Sequence, residues 1–463
     1  MIDAGGLIDP ERLGAAERLS HLLPYQWTQS DRDFASRNPT VHGKGFPRKL
    51  VFGSDYFYGQ PNGLAPIESV SGRDNYPPFS YAKGGFSVGW GAAVLRPDDC
   101  DLVDWPISNQ ELDPYYASVL GGIPYLGSHD LLAANFPFMR EPGNSLRLTQ
   151  GNAALLHELE VSGMFDRERL VFGKARLLAN ADSGSVNGCK YCGCCMSGCA
   201  YGAIYKASRD IDGMIAAGEI DYRAGLTVHR LEESGGGVTV LARNAQGAGE
   251  SWEFDRVFLA AGALNSTRIV LQSKRLYDEK VEIKTTIGFV APMFRLGRMP
   301  LDWPDCNTMP GIFLEYKVEG LSDHWVHTQL STPNEMALEK LGVTLGGAGW
   351  GYALRRRAAE HLVVALCNLH SDHANNYEIV LKKGRDGEND RIISARRDTE
   401  GATCAIDMAI RKLFRIGRKI GCYPIPLAVQ RSTQVVGYHI GGGLPMRRNP
   451  QTETETNCFG SPK

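Results

Sequence analysis

The stretch VFLAAGALNSTRIVLQS, residues 257–273, changes its hydrophobic pattern once along its length. It opens on an apolar run of strand length, passes through the small residues of 260–263, and takes up helical spacing near Asn265. A buried strand that turns through small residues into a helix is a unit of α/β folds. The stretch therefore predicts an α/β domain with a strand-to-helix turn near Gly262.

Strand-like patterns continue on both sides of this unit. Alternating residues in LTVHRLE (226–232) and VTVLARN (238–244) predict two strands before it. The runs IGFVAPMFRL (287–296) and GIFLEYKVEG (311–320) predict further strands after it. The chain thus alternates between sheet-forming and helix-forming segments.

Capping and stop signals in the sequence predict two helices. Ser108 is a good N-cap, and Glu111 three residues later completes a capping box before a short helix. Apolar residues at helical spacing over 402–421 predict a longer helix that stops at Gly421. Residues 24–80 are rich in Pro, Gly, Asn and aromatic residues, which predicts a long excursion over a surface.

Composition narrows the class of protein. The 463 residues are 43% hydrophobic and 22% charged, as in ordinary soluble proteins, and a net charge of −2 gives no electrostatic case for nucleic acid. No apolar run is long enough to span a bilayer. Eleven cysteines, partly clustered, favour metal or redox use in a reducing compartment over a disulfide scaffold. We therefore expect a cytoplasmic location, or a periplasmic one if a signal precedes the sequence.

The first residues, MIDAGG, resemble the end of a buried strand followed by a turn at Gly5–Gly6. In a dinucleotide-binding βαβ unit, an acidic residue at the position of Asp3 binds ribose hydroxyls about 20 residues after a glycine-rich turn. The alternative for a single aspartate near a terminus is a surface carboxylate. The glycine-rich turn would lie before Met1, so we expect an incomplete N-terminus.

A cysteine-rich run, NGCKYCGCCMSGCAYGAIY, occupies residues 187–205. Its C-x2-C-x2-C-x3-C spacing is that of iron–sulfur ligands in bacterial ferredoxins, with Ala200 at the usual proline position. Zinc fits less well, because all-cysteine zinc sites use two separated C-x2-C pairs. A structural loop of reduced thiols is the remaining alternative. The candidate metal ligands are Cys189, Cys192, Cys195 and Cys199.

Four motifs in order resemble the glucose–methanol–choline family of FAD-dependent oxidoreductases. They are KGGFSVGWGAAVLR (83–96), DWPISNQELDPYY (104–116), VFLAAGALNSTRIVL (257–271) and GYHIGGGLPM (437–446). The cysteine-rich run is similar to that of a family branch in which some sugar and polyol dehydrogenases hold an iron–sulfur cluster. The resemblance covers nearly the whole chain.

The resemblance implies an α/β protein with a Rossmann-like FAD-binding domain and a substrate-binding domain built on an antiparallel sheet. The FAD domain would comprise residues 1–290, including the cysteine-rich insertion 187–205, and would resume at 426–463 with the catalytic histidine segment. The substrate-binding domain would comprise 291–425. The family's glycine-rich start and its second catalytic residue are absent, so we expect a chain shortened at both ends that binds flavin poorly as it stands.

The resemblance also assigns cofactor-binding residues. Glycines in the 83–96 loop let backbone approach the flavin and pyrophosphate, and Ser87 can donate to phosphate. Val228 would border the adenine, while Ala261 and Gly262 would approach the ADP moiety. Histidine is absent from the loop, which implies non-covalent FAD. The expected cofactor-binding residues are Asp3, Gly84, Gly85, Ser87, Gly89, Trp90, Gly91, Val228, Ala261 and Gly262.

Alcohol oxidation needs a base for the hydroxyl proton and a hydride acceptor. Histidine suits the first role, since its pKa lies near working pH, and the family match selects His439. The alternative is a loop histidine that caps backbone groups. His370, Asp372 and His373 in LHSDHANN also suggest a metal site, although such residues are more often substrate-pocket or solvated groups.

We therefore expect an FAD-dependent dehydrogenase of a sugar or other alcohol. Its electrons would pass through a cluster at the cysteine run to an acceptor protein or quinone. No nucleic acid partner and no transmembrane segment are expected. Two rival hypotheses remain: an inactive homologue that cannot hold FAD, and a simple iron–sulfur electron-transfer protein.

Overall fold

The structure is a computed structural model. It describes residues 1–37, 49–59, 76–384, 390–432 and 439–463, together with the backbone of 67–69. Part of the predicted surface excursion at 24–80, and Gly437–Tyr438 of the histidine motif, lie outside these residues.

The described residues form a mixture of helices and strands. The α-helices α1 to α9 are Pro10–Ser20, Gln29–Ala35, Asn109–Val119, Gln150–Val161, Ala207–Ala216, Ala263–Lys274, Glu335–Lys340, Trp350–Ala359 and Ala402–Lys419. The strands β1 to β16 are Ile67–Ser69, Leu126–Gly127, Gly143–Asn144, Leu170–Lys174, Leu226–Ser234, Gly237–Asn244, Gly249–Phe254, Lys280–Ile283, Ile287–Arg295, Ile312–Tyr316, Val326–Ser331, Leu362–Leu369, Asn376–Lys382, Arg391–Arg397, Cys422–Pro424 and Gln430–Ser432.

The largest sheet has seven antiparallel strands. Its order is β15-β9-β12-β11-β10-β4, and β16 pairs with β9 beside β15. Helix α9 presents apolar residues at helical spacing to one face, and Tyr316 of β10 donates its hydroxyl proton to the carbonyl of Ala409 there. An antiparallel sheet with an amphipathic helix on one face confirms the mixed architecture that the sequence predicts.

Two smaller sheets enclose helix α6. The meander β5-β6-β7 packs on one side of α6, and the sheet β1-β14-β13-β8 lies on the other. Leu264 and Leu271 of α6 join Ile283 and Ile379 in the core beneath the second sheet. Because α6 is held from both sides, the position of its N-terminus is fixed by packing.

Several sequence predictions are confirmed at the level of single residues. Ser108 accepts a hydrogen bond from the backbone N–H of Glu111 and begins α3 with a capping box. Helix α9 ends at Lys419, and Gly421 takes a left-handed φ of 68° just beyond it. The strands predicted at 226–232, 238–244 and 287–296 form as β5, β6 and β9.

The prediction of a strand at 257–260 was wrong. This segment forms no strand, and Phe258 is 91% exposed, although α6 begins as expected within two residues of Asn265. An apolar segment becomes a strand only when neighbouring strands accept its hydrogen bonds, and no described segment pairs with it.

A Rossmann-like parallel sheet remains a prediction. Within the described residues, parallel pairing is limited to β1 with β14, β2 with β3, and isolated bridges such as Ile2 with Arg223. The seven-stranded sheet also takes strands from all three predicted domain segments: β4 from the first, β10 to β12 from the second, and β16 from the third. Across the described residues, no helix is both long enough and apolar enough to cross a membrane.

Candidate functional site

A cleft of about 830 Å³ opens between the N-terminal residues, the meander and the start of α6. We call it the α6 cleft. Its walls bring together six of the ten predicted cofactor-binding residues: Asp3, Gly84, Gly85, Val228, Ala261 and Gly262. The other four, Ser87, Gly89, Trp90 and Gly91, lie outside its lining. Residues 3, 84, 228 and 261 are far apart in sequence, so only folding makes them one site.

The N-terminal residues reach the cleft through backbone pairing. The N–H of Asp3 donates to the carbonyl of Arg223 at 3.0 Å, and the N–H of Leu226 donates to the carbonyl of Asp3 at 3.1 Å. The Asp3 carboxylate accepts a hydrogen bond from the Tyr222 hydroxyl at 2.9 Å. Burial, with this contact added, raises the pKa of Tyr222. The carboxylate is thereby fixed at the mouth of the cleft.

The glycine loop packs on the start of helix α5. Gly84 has φ of 84°, and a Cβ there would come within 2.6 Å of the Ser208 nitrogen. Only glycine allows both the left-handed backbone and this close approach. Ser87 Oγ accepts from the N–H of Ala207 at 3.0 Å and donates to the carbonyl of Gly84 at 2.6 Å. Its contacts join the loop to the helix, and a role toward phosphate stays a prediction.

The remaining loop residues hold the loop against the rest of the protein. The Trp90 indole N–H donates to the carbonyl of Tyr205 at 2.8 Å. A Cβ on Gly89 would come within 2.5 Å of the Phe57 ring, whereas one on Gly91 would meet nothing within 4 Å. Trp90 and Gly89 therefore contribute to packing, which the sequence alone did not indicate.

The unpaired segment before α6 forms one wall of the cleft. Val257, Phe258 and Leu259 line it, and Gly262 turns the chain into the helix with φ of 81°. The first N–H groups of any helix lack intrahelical acceptors and carry partial positive charge. The start of α6 therefore favours an anionic ligand in the cleft.

A buried cation, Arg268, lines the same cleft and was not found from the sequence. Its guanidinium donates to the carbonyl of Val228 and to Gln272 Oε1, both at 2.9 Å, and both acceptors are neutral. Burial lowers the pKa of Arg268, although guanidinium groups stay charged in proteins. A buried positive charge whose acceptors are neutral is stabilised by an anion in the cleft. Helical spacing marks Arg268 as inward-facing, but no local motif reveals its role.

The loop of His439 is attached to the neighbouring sheet. Gly441 exchanges both backbone hydrogen bonds with Lys284, at 2.8 and 3.0 Å. Ile440 lines the α6 cleft. His439 is exposed, yet the surrounding protein desolvates its imidazole and, with a contribution from His327, lowers its pKa. A neutral imidazole can accept a proton, and the lowered pKa favours this form of His439.

A pair on the large sheet, between the buried Glu315 and the partly exposed His327, was missed by the sequence reasoning. Glu315 of β10 and His327 of β11 are directly opposite, and Glu315 Oε1 lies 2.7 Å from His327 Nδ1. Burial raises the pKa of Glu315. The pKa of His327 is lowered by burial and raised by the Glu315 carboxylate, and the net change is a rise. The electrostatic effect of His327 on His439 indicates that this pair lies near the His439 loop.

The cysteine-rich run folds as a compact loop between two cores. Cys189, Cys194 and Cys195 are buried, and burial raises the pKa of Cys189 and Cys195. At Cys194 a hydrogen bond with Cys192 lowers the pKa, but burial and neighbouring negative groups give a net rise. Two sulfurs accept backbone hydrogen bonds: Cys195 from Thr308 at 3.4 Å and Cys199 from Ala203 at 3.3 Å. Hydrogen bonds to sulfur are among the features that tune iron–sulfur centres.

The spacing of these sulfurs bears on the kind of metal group. No three sulfurs of the run lie within 4.8 Å of one another. A tetrahedral zinc with bonds of about 2.3 Å places its sulfurs about 3.8 Å apart. The sulfurs as placed are not grouped at that spacing, although the thiols influence one another electrostatically from Cys189 to Cys199.

Comparisons with known proteins give no match: neither the models of known families nor the curated protein sequences include one that matches this chain.

Proposed function

We propose that the chain is an FAD-dependent oxidoreductase that acts on the CH–OH group of a sugar or other alcohol. FAD would occupy the α6 cleft, and His439 would accept the hydroxyl proton of the substrate. One observation carries the proposal: six of the predicted cofactor positions, from four separate segments of the sequence, line a single cleft, and Ile440, next to His439, lines it too.

The residues of the cleft fit an elongated dinucleotide. A volume of about 830 Å³ is within the range of cofactor pockets, and the buried Arg268 cation suits a pyrophosphate. Asp3 offers a carboxylate to ribose hydroxyls, and Gly84 and Gly262 keep side chains away from the ligand. A bound flavin would supply the hydride acceptor for the oxidation.

The protein's own part is to orient the alcohol and hold the proton. His439, whose pKa is lowered, is neutral at working pH and has a free lone pair for a hydroxyl proton. Glycines 441–443 follow it in the sequence and add no side-chain bulk to its loop. The neighbouring His327–Glu315 pair offers further polar contact to a polyhydroxyl substrate.

Electrons would leave through an iron–sulfur cluster at the cysteine run, to an acceptor protein or a quinone. Support comes from the four-cysteine spacing and the backbone N–H groups directed at Cys195 and Cys199. A plain electron-transfer role has less support, because it leaves the α6 cleft without a function.

Flavin titration of the purified chain tests the proposal. We expect weak but saturable quenching of FAD fluorescence, with competition by ADP. Binding should be a further 10–100-fold weaker, roughly, in Arg268→Met, since a charged hydrogen bond is removed. Arg415→Met, an exposed arginine on α9, is the matched control and should bind like wild type. Folded wild-type protein that binds neither FAD nor ADP would overturn the assignment of the cleft. If Arg268→Met bound FAD as tightly as wild type, the cleft would remain the FAD site but Arg268 would have no part in it.

A further inference from the structure

A buried carboxylate from a distant part of the chain holds the cysteine run. Glu335, the first residue of α7, is 2% exposed. Its Oε1 accepts hydrogen bonds from two successive backbone N–H groups of the run, those of Met196 and Ser197, the second at 3.2 Å. Successive N–H groups of a turn form a concavity that suits an anion. Glu335 therefore occupies an anion-binding turn between Cys195 and Cys199.

Thr308 fixes the first residue of the same turn. Its Oγ1 accepts a hydrogen bond from the N–H of Cys195 at 3.0 Å, and its own N–H donates to Cys195 Sγ at 3.4 Å. Both residues are buried, so an opened turn would leave polar groups without partners, which costs free energy. Three successive N–H groups, from 195 to 197, thus have acceptors supplied by the protein. The turn does not need a metal group to hold its shape.

Another pair of contacts holds the run at Gly193. The N–H of Gly193 donates to the carbonyl of Cys306 at 2.9 Å, and the Trp303 indole N–H donates to the carbonyl of Gly193 at 3.0 Å. Gly193 has a left-handed φ of 72°, which favours glycine. The run is attached here independently of Glu335, so the turn 195–197 is the part that Glu335 holds.

The carboxylate of Glu335 is placed at a cost in free energy. Its Oε2 is buried and has no hydrogen-bond partner among the described residues, and the loss of hydration of such an atom is unfavourable. Burial raises the pKa of Glu335 to about 7, while its hydrogen bonds and the charge of Lys49 act in the opposite direction. The contribution that offsets this cost is the fixed turn.

We propose that Glu335 is the positioning residue of the cysteine run: its carboxylate holds the turn 195–197, and the turn fixes where the Cys195 and Cys199 thiols point. Glu335 acts through the backbone of the run and not as a metal ligand. The inference rests on the proposed iron–sulfur cluster for its purpose, whereas the hold on the turn can be measured without a cluster.

Alkylation of the full chain, read out for each cysteine by mass spectrometry, tests the proposal. Local opening of the turn lets a thiol reagent reach Cys194 and Cys195, which are 1% and 7% exposed. Glu335→Ala removes two hydrogen bonds to a charged acceptor, so both thiols should be alkylated roughly 10–100-fold faster. Glu335→Gln keeps a carbonyl oxygen for the two N–H groups and should stay closer to wild type. Glu339→Ala changes an exposed glutamate of the same helix and is the matched control.

Two further cysteines separate loosening of the turn from unfolding of the whole chain. Cys367 and Cys422 are buried in the core of the large sheet and should stay protected in every variant. The proposal is overturned if Glu335→Ala protects Cys194 and Cys195 as well as wild type does. It is also overturned if all four thiols lose protection together, because the effect is then on the fold and not on the turn.

Iron and acid-labile sulfide, assayed in the same preparations, separate this inference from the proposed function. If wild type holds a cluster, Glu335→Ala should contain less of both. Faster alkylation in Glu335→Ala, against a wild type that lacks both, would end the cluster and support the positioning role. If Glu335→Ala does not fold, hydrogen exchange of wild type decides: protected N–H groups at Met196 and Ser197 support the proposal, and exchange at the rate of an unfolded chain refutes it.

Discussion

Gly443 lies against Thr267 so closely that a Cβ on Gly443 would overlap the threonine Oγ1 and come within 2.6 Å of Ile283 Cδ1. Thr267 belongs to α6, whose N-terminus borders the α6 cleft, and Gly443 belongs to the loop of His439. Because Gly443 has no side chain, the loop of His439 can pack against α6. This contact sets the distance between the proposed proton acceptor and the proposed cofactor site.

Gly443→Ala should destabilise the protein and displace the His439 loop. Overpacking of this kind costs about 1–3 kcal/mol, and the loop must move because Thr267 and Ile283 are held in the core. Chemical denaturation measures the loss. Gly441→Ala is the matched control in the same loop, since a Cβ there meets nothing within 4 Å. If both variants lost the same free energy of unfolding, the cause would be a general sensitivity of the loop to substitution and not the contact with Thr267.

His439→Ala should slow the reduction of bound flavin by substrate about 10²–10⁴-fold while leaving the flavin spectrum unchanged. Stopped-flow reduction measures this, with His129→Ala as a control that keeps the wild-type rate. A mutant that reduces flavin at the wild-type rate would make His439 a structural residue, and His370 and His373 would be tested next.

The same reaction should depend on pH in a defined direction. The pKa of His439 is lowered from 6.5, so the neutral base persists to lower pH than a free histidine would allow. The rate should fall as pH drops through this lowered pKa, because a protonated imidazole accepts no proton. A rate that already falls above pH 6.5 would contradict the assignment of that limb to His439.

His327→Gln should destabilise the fold by about 3 kcal/mol at neutral pH, because the buried Glu315 carboxylate loses its partner. In wild type the pKa of His327 is raised above 6.5, so the folded state holds its proton longer than the unfolded state. This stabilisation is complete below pH 6.5 and is lost as pH rises through the raised pKa. Urea unfolding between acidic and basic pH measures both effects. The double variant with Glu315→Gln should recover part of the stability, and no recovery would exclude coupling between the pair.

Cys192→Ser should abolish bound iron and acid-labile sulfide in anaerobically purified protein, because a four-cysteine site loses a ligand. Cys404→Ser, an exposed cysteine on α9, should retain both, and Cys194→Ser should too if Cys194 is a spare thiol. Folded wild type without iron and sulfide would leave the run as a structural loop.

The sequence by itself determined the local elements. Residue patterns predicted β5, β6, β9 and the end of α9 at Gly421, because periodicity and caps act within a few residues. Gly84 and Gly262, which the sequence indicated as positions where a side chain would be in the way, both have left-handed φ values. Such features depend on the chain's own backbone and not on distant neighbours.

The tertiary structure decided which residues meet. The apolar run 257–260 has the composition of a strand, but a strand needs partners for its backbone groups, and the described residues provide none. Arg268 and the His327–Glu315 pair carry no local motif, since their partners lie 40 and 12 residues away. A buried charge and a buried hydrogen-bonded carboxylate are created by packing, because only the fold brings such groups to their partners and excludes water from them.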